Sequence, residues 1–300
     1  VFAATGVEFG AHAEYLCLPE DGALAAKPAN VTYGGGSRHL RGGLTALPFL
    51  RDHGKIQSGH HVLINGASGA VGSSAVQLAR SFGANVTGVC GPANAALVGS
   101  LGADTVIDYS QEDFTRTGPT YDLILDTVGN GSFARSKAVL KPGGVYVTTV
   151  LTLASYPHML WTARIGNKRA IIAYSNFRPA SEKASDLHIL RSLVEAGMLR
   201  PVIDRCFPLA QAAERTGASK RGARRATWSS RWSTRTDAQH SGAVGGEERA
   251  DRAIKALGGW MTNTSAEVSA AIAGQTADHA PGNLQETLSP GWNILRTGAY

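Results

Sequence analysis

From His61 onward, short apolar runs alternate with amphipathic stretches. His61-Val62-Leu63-Ile64-Asn65 reads as a strand. Ser73 to Phe82 reads as a helix, with Ala75, Leu78, Ala79 and Phe82 on one face. Gly83 supplies a C-terminal stop. Asn85 to Cys90 predicts a second strand, and Asn94 to Leu101 a second helix closed by Gly102. Thr105 to Asp108 predicts a third strand. Ser110-Gln111-Glu112-Asp113 resembles a capping box opening a further helix. Leu123 to Asp126 is a fourth strand. Phe133 to Leu140 is a helix stopped by Pro142-Gly143-Gly144. Val145 to Val150 and Ala170 to Tyr174 complete six strands. Strands and helices alternating at this length predict a doubly wound parallel sheet with both faces covered, an α/β Rossmann fold.

Leu187, Leu190, Leu193 and Val194 mark one more amphipathic helix, ending near Gly197, and Pro201 to Phe207 then runs extended. After about Glu214 the alternation stops. Basic and small residues dominate, and four of the five tryptophans appear there: Trp228, Trp232, Trp260 and Trp292. This predicts an irregular C-terminal tail.

Composition adds limits. With 300 residues, 43% hydrophobic and 17% charged, the chain can bury one or two ordinary cores. No apolar run reaches a membrane span, so no membrane partner is expected. The start, Val1 to Gly6, lacks the features of a signal peptide and reads as internal to a longer protein, with a cytoplasmic location. The net charge of +6 is uneven: seven basic residues and no acid fall within 215–235. Without them the remainder carries −1. Three cysteines, Cys17, Cys90 and Cys206, lie far apart, which argues for a reducing compartment and against structural zinc.

The chemistry centres on Gly66-Ala67-Ser68-Gly69-Ala70-Val71-Gly72, which follows a strand and opens a helix. Gly66 permits a tight turn, Gly69 admits a pyrophosphate, and Gly72 allows close helix packing. The helix start offers N–H groups and a positive dipole end to phosphates. An acid about 20 residues further on would hold the ribose of NAD. The sequence there, Val89-Cys90-Gly91-Pro92-Ala93-Asn94, has none. It also has no Arg or Lys to attract a 2′-phosphate. NADPH is thus favoured weakly over NADH.

Together with Gly10 to Tyr15, Lys27 to Asn30, Gly43 to Leu47, Asn65 to Gly72, Leu101 to Asp104, Asp126 to Gly129, Lys141 to Gly144 and Arg200 to Asp204, these residues resemble a family. It is the zinc-independent, quinone-oxidoreductase-like branch of the medium-chain dehydrogenase/reductase superfamily. The resemblance covers residues 1 to about 214, apart from 34–41. It implies NAD(P)H-dependent hydride transfer to a quinone or an α,β-unsaturated carbonyl, with intact relatives homodimeric. It implies Thr45 by the nicotinamide end, and the Gly66 to Gly72 loop (Gly66, Ser68, Gly69, Ala70, Val71, Gly72) under the pyrophosphate. Cys90, Gly91, Asn94 and Tyr109 would surround the adenosine ribose, and Val128, Gly129 and Thr149 the nicotinamide side. No acid–base residue is carried over, so the catalytic residue is unknown. Zinc-dependent relatives have a cysteine-rich lobe where this chain has Val7 to His12, which leaves no zinc site.

Three departures from the family pattern stand out. The chain begins part-way through the catalytic domain, so 1–40 reads as a remnant of a GroES-like β-barrel, 41–175 as the Rossmann domain and 176–214 as a return segment. Residues 34–41, Gly-Gly-Gly-Ser-Arg-His-Leu-Arg, replace an acidic helix start. After Ala212-Ala213-Glu214 the family expects an Ala-His-Arg helix and a final Val-rich strand. Residues 214–233, back-translated with permitted codons and read one frame over, give Ala-His-Arg-Cys-Val-Glu-Thr-Gly-Arg-Ala-Glu-Gly-His-Val-Val-Val-Glu-Val-Glu. A single-base loss near Glu214 would make 215–300 a non-native or disordered tail.

Three functional classes therefore stand. The first is a zinc-free, NADPH-preferring reductase. The second is an inactive, truncated or frame-shifted relative of one. The third is a nucleic-acid or anionic-surface binder acting through the Arg and Trp residues of 215–235. The frame argument explains that basic run without a nucleic-acid partner.

Overall fold

The structure is a computed structural model. It describes residues 1–4, 15–31, 42–116, 119–129, 132–150, 162, 167–173, 178–202, 206–208, 229–231 and 292–296. Three short strands come first: β1 (Phe2–Ala3), β2 (Tyr15–Pro19) and β3 (Leu24–Ala25). Helix α1 covers 42–48 and runs on into a π-helical turn, Phe49–His53. Then follow β4 (His61–Asn65), α2 (Ala70–Ser81), β5 (Asn85–Cys90), α3 (Ala95–Ser100), β6 (Thr105–Asp108) and β7 (Tyr121–Asp126). The domain continues with α4 (Phe133–Ser136), β8 (Leu140–Thr148), β9 (Arg169–Ile172) and α5 (Ala180–Glu195).

Strands β4 to β9 form one sheet in the order β6-β5-β4-β7-β8-β9, and every neighbouring pair is parallel. The order reverses between β4 and β7, as in the Rossmann fold. Alternate residues feed opposite faces. Val62 and Ile64 pack with Phe49, Val76 and Leu190 on one face. Leu63 packs with Ile124, Phe133 and Tyr146 on the other.

Several elements differ from the pattern-based expectation. Helix α2 starts at Ala70, and positions Gly72 to Ala79 are buried without interruption. A single apolar face does not describe it, because it is covered on its outer side too. A Cβ on Gly42 of α1 would lie 2.2 Å from the Ala70 carbonyl oxygen, and Gln77 donates to the Arg200 carbonyl at 3.2 Å. No helix opens at Ser110. Asp108 accepts from the Ser110 N–H and hydroxyl, and Asp113 from those of Thr115. These local bonds hold turns in competition with a helix. Helix α4 ends at Ser136 and passes through a 3-10 turn, Lys137–Val139, into β8. Pro142-Gly143-Gly144 lies inside β8, where the register with β7 shifts and Gly143 adopts φ +82°.

Outside the large sheet, β1 pairs with β3 in antiparallel fashion. Strand β10 (Cys206–Pro208) pairs in parallel with β11 (Ser229–Arg231). Strand β12 (Trp292–Arg296) pairs antiparallel with β2. No closed barrel forms among the described residues. The expectations for 34–41, Tyr174 and most of 215–300 lie outside them.

Candidate cofactor site

The candidate site lies at the C-terminal edge of the sheet, where the strand order reverses. After Asn65 the chain turns through Gly66, whose φ of +82° is a left-handed conformation that favours glycine. The Gly66 and Ala67 N–H groups both donate to the Val89 carbonyl of β5, at 3.0 and 2.9 Å. A Cβ on Gly66 would meet Thr127 Oγ1 and Val128 Cγ2, each at 2.6 Å. The turn after β4 is therefore pressed against the turn after β7. A Cβ on Gly72 would lie 2.1 Å from the Gly66 carbonyl oxygen, so α2 can begin this close only with glycine there.

Gly69 differs. Its Cβ position meets only the Gly66 oxygen, at 3.3 Å, and otherwise faces open space. It is the N-cap of α2 and carries no side-chain cap. The first helical bond runs from the Ser73 N–H to the Gly69 carbonyl, at 2.8 Å. The N–H groups of Ala70, Val71 and Gly72 lie ahead of that bond, without helical acceptors. A half-buried loop with three such donors at a helix start fits a phosphate group.

Seven other candidates, Cys90, Gly91, Asn94, Tyr109, Val128, Gly129 and Thr149, lie at or just after the C-terminal ends of β5 to β8. Cys90 ends β5 with its thiol buried; burial pushes its pKa up and Asp108 adds to this, so it stays protonated at neutral pH. Gly91 follows, and a Cβ there would lie 3.1 Å from the Tyr109 hydroxyl. Asn94 caps α3 and donates its backbone N–H to the Gly91 carbonyl. Tyr109 directly follows β6 and is 68% exposed, and Val128 follows β7 at 48%. These two large apolar side chains stand exposed on the two sides of the switch point. Gly129 adopts φ +79°, and Thr149 donates its N–H to the Asp126 carbonyl at 3.0 Å. Thr45 sits in α1, one turn beyond the Gly42 contact with α2.

Sequence reasoning gave no role to Asn65, Asp126, Thr127 or Tyr146. Asn65 donates to Asp126 Oδ1 at 3.0 Å, and Tyr146 donates its hydroxyl to Asp126 Oδ2 at 2.7 Å. Thr127 Oγ1 donates to the Asn65 carbonyl at 2.8 Å. The available signal was a polar residue, Asn65 or Asp126, directly after an apolar run of three, Val62 to Ile64 or Leu123 to Leu125.

Comparison with known proteins agrees with this geometry. A family model described as zinc-binding dehydrogenase matches residues 101–225. The mitochondrial NAD(P)H oxidoreductase RTN4IP1 of Mus musculus is 37% identical over 173 residues, 52% of this chain and 44% of its own length. The 2-methylene-furan-3-one reductase of Solanum lycopersicum is 32% identical over 200 residues, 66% of this chain and 46% of its own. The solved quinone oxidoreductase of Coxiella burnetii superposes with a TM-score of 0.55 at 30% identity, over 62% of this chain and 57% of its own. The chain thus spans about half the length of the curated relatives it matches.

Strand order and the glycine turn at its switch point define the class, a Rossmann domain. The chain is similar to quinone-oxidoreductase-like members of the medium-chain dehydrogenase/reductase superfamily. The family model's description mentions zinc. Among the described residues, no group of three or more His, Cys, Asp or Glu side chains is placed to hold a metal ion. No helix among them is long and apolar enough to cross a membrane.

Proposed function

We propose that the chain is the cofactor-binding body of a zinc-free, NADPH-preferring reductase of quinones or α,β-unsaturated carbonyls. The observation that carries this reading is the open Gly69 position beside the uncapped start of α2, at the switch point of a parallel sheet. The names of its relatives support the oxidoreductase class. A bound nicotinamide would supply the hydride for the reduction. The chain's own residues bind and orient. The Ala70, Val71 and Gly72 N–H groups take the pyrophosphate, with Gly66 and Ser68 completing the loop. Cys90, Gly91, Asn94 and Tyr109 take the ribose side. Thr45, Val128, Gly129 and Thr149 border the nicotinamide. No acid–base role is assigned to any side chain.

The preference for NADPH rests on the end of β5, where Cys90 and Gly91 bring no carboxylate to a ribose 2′-phosphate. The zinc-free reading rests on the lack of a cysteine-rich segment at Val7 to His12. A cytoplasmic location and a homodimeric parent protein complete it. Residues 1–40 are read as catalytic-domain remnant, 41–175 as the cofactor domain, 176–214 as the return segment and 215–300 as out of frame. Fluorescence titration with NADPH and NADH tests the core claim, followed by cofactor oxidation with a quinone and with an enone. NADPH is expected to bind at least as tightly as NADH. Binding of NADH alone, or of neither, overturns the proposal. Cofactor binding without turnover of either substrate identifies an inactive relative.

A further inference from the structure

We propose that Asp126 is a buried charge that biases the site toward the oxidised, cationic form of a nicotinamide. The inference rests on the cofactor reading above. Asp126 ends β7 at the switch point and is 1% exposed. Its Oδ1 accepts from Asn65 Nδ2 at 3.0 Å, the Val128 N–H at 3.0 Å and the Gly129 N–H at 3.1 Å. Its Oδ2 accepts from the Tyr146 hydroxyl at 2.7 Å. Its backbone carbonyl accepts from the Thr149 N–H. One residue thereby ties together the C-terminal ends of β4, β7 and β8, and every neighbour is a donor. Burial pushes the Tyr146 phenol well above its ordinary value, and the Asp126 charge and hydrogen bond add to this, so Tyr146 remains a donor at any working pH.

Those contacts satisfy hydrogen bonds without supplying a positive charge. Among the described residues, no Lys, Arg or His forms an ion pair with Asp126. Val128, Gly129 and Thr149 are the residues assigned to the nicotinamide side; the first two turn their N–H groups onto the Asp126 carboxylate, and Thr149 onto its backbone carbonyl. A negative charge thus lies directly behind that wall. The oxidised nicotinamide ring carries a positive charge and the reduced ring none, so the charge discriminates between the two forms. Loss of a hydride from the bound cofactor is favoured, which suits a reductase. A structural tie alone would hold the wall in place for both forms equally.

The test compares dissociation constants of NADP+ and NADPH, by calorimetry, for the full chain and the variants D126N and Y146F. Thermal melts check that each variant folds. D126N keeps the shape and removes the charge. It should weaken NADP+ relative to NADPH by roughly tenfold, the scale of a unit charge near a second charge in a partly polar interior. Y146F keeps the charge and removes one donor, so the preference for NADP+ should hold or rise. Equal weakening of both forms in D126N, or a fall in the preference in Y146F, overturns the inference. If D126N does not fold, the Y146F result decides. Wild-type protein that binds neither form overturns the cofactor reading itself, and this inference with it.

Discussion

Glycines at three positions of one loop carry separable consequences. In Gly72→Ala the new Cβ meets backbone atoms of Gly66 and Ala67, at 2.1 and 2.8 Å, which cannot swing aside. Stability should fall by about 1–3 kcal/mol, the usual cost of overpacking, seen as a lower urea midpoint. Gly69→Ala meets little within the protein, so its melting curve should barely move while cofactor affinity drops. At the turn after β5, Gly91→Asp would crowd only Tyr109, whose exposed ring can turn away. The added carboxylate should repel a 2′-phosphate and shift the NADH-to-NADPH affinity ratio by about tenfold or more toward NADH. An unchanged ratio would count against placing the ribose at this turn.

Helix α1 and helix α5 are joined by charges as well as by apolar packing. Asp186 of α5 is 1% exposed and accepts from Arg51 at 2.9 Å and from Arg178. Asp186→Ala would leave two guanidinium groups facing an emptied site. Removing one partner of a buried pair costs about 3–5 kcal/mol, and the partial exposure of both arginines places this case near 3. Denaturant unfolding of D186A against wild type measures it. The wider set of carboxylates sets an acid limit. The Arg51 hydrogen bond holds the Asp52 carboxyl below its ordinary value, and the Thr115 hydroxyl does the same for Asp113. Depressed carboxyl groups stabilise the fold above the unfolded-state value of about 4, and that contribution is lost as pH falls below it. The raised phenol of Tyr146 acts at the other end. It favours the folded state below about pH 10 and loses that effect as pH rises further. Melting temperature against pH should therefore form a plateau between these limits.

At the scale of the whole molecule, the tail and the expected Val-rich strand become one question. The structure pairs Ser229–Arg231 in parallel with Cys206–Pro208. Read one frame over, Val-Val-Val-Glu-Val falls in place of Trp228 to Trp232, at the same position. A chain carrying that reading from Glu214 onward should gain soluble yield and melt at a higher temperature, because β-branched residues suit a strand and a polar Ser-Ser-Arg segment does not. No gain would remove the frame argument and return the basic run of 215–235 to consideration as a binding surface. Sequencing the gene around codon 214 is the direct check.

The linear pattern alone determined the six strands of the sheet, their parallel sense and the position of the glycine turn. Each of those follows from local information: apolar runs of strand length, helical spacing between them, and glycine where only glycine fits. The family resemblance supplied fourteen candidate residues; thirteen of them end β5 or lie in the turns and helix starts that follow β4 to β8, and Thr45 lies in α1. Three features were decided by tertiary structure. Helix α2 is buried on all sides because α1 and the segment around Arg200 cover it, which no periodicity records. Pro142-Gly143-Gly144 became part of a strand because β7 offered it a shifted register. The Asn65–Asp126–Tyr146 cluster joins residues distant in the chain, and only the crossing from β4 to β7 and β8 brings them within hydrogen-bonding reach. Residue type marks a polar strand end, but the partner it bonds is set by the order in which strands assemble.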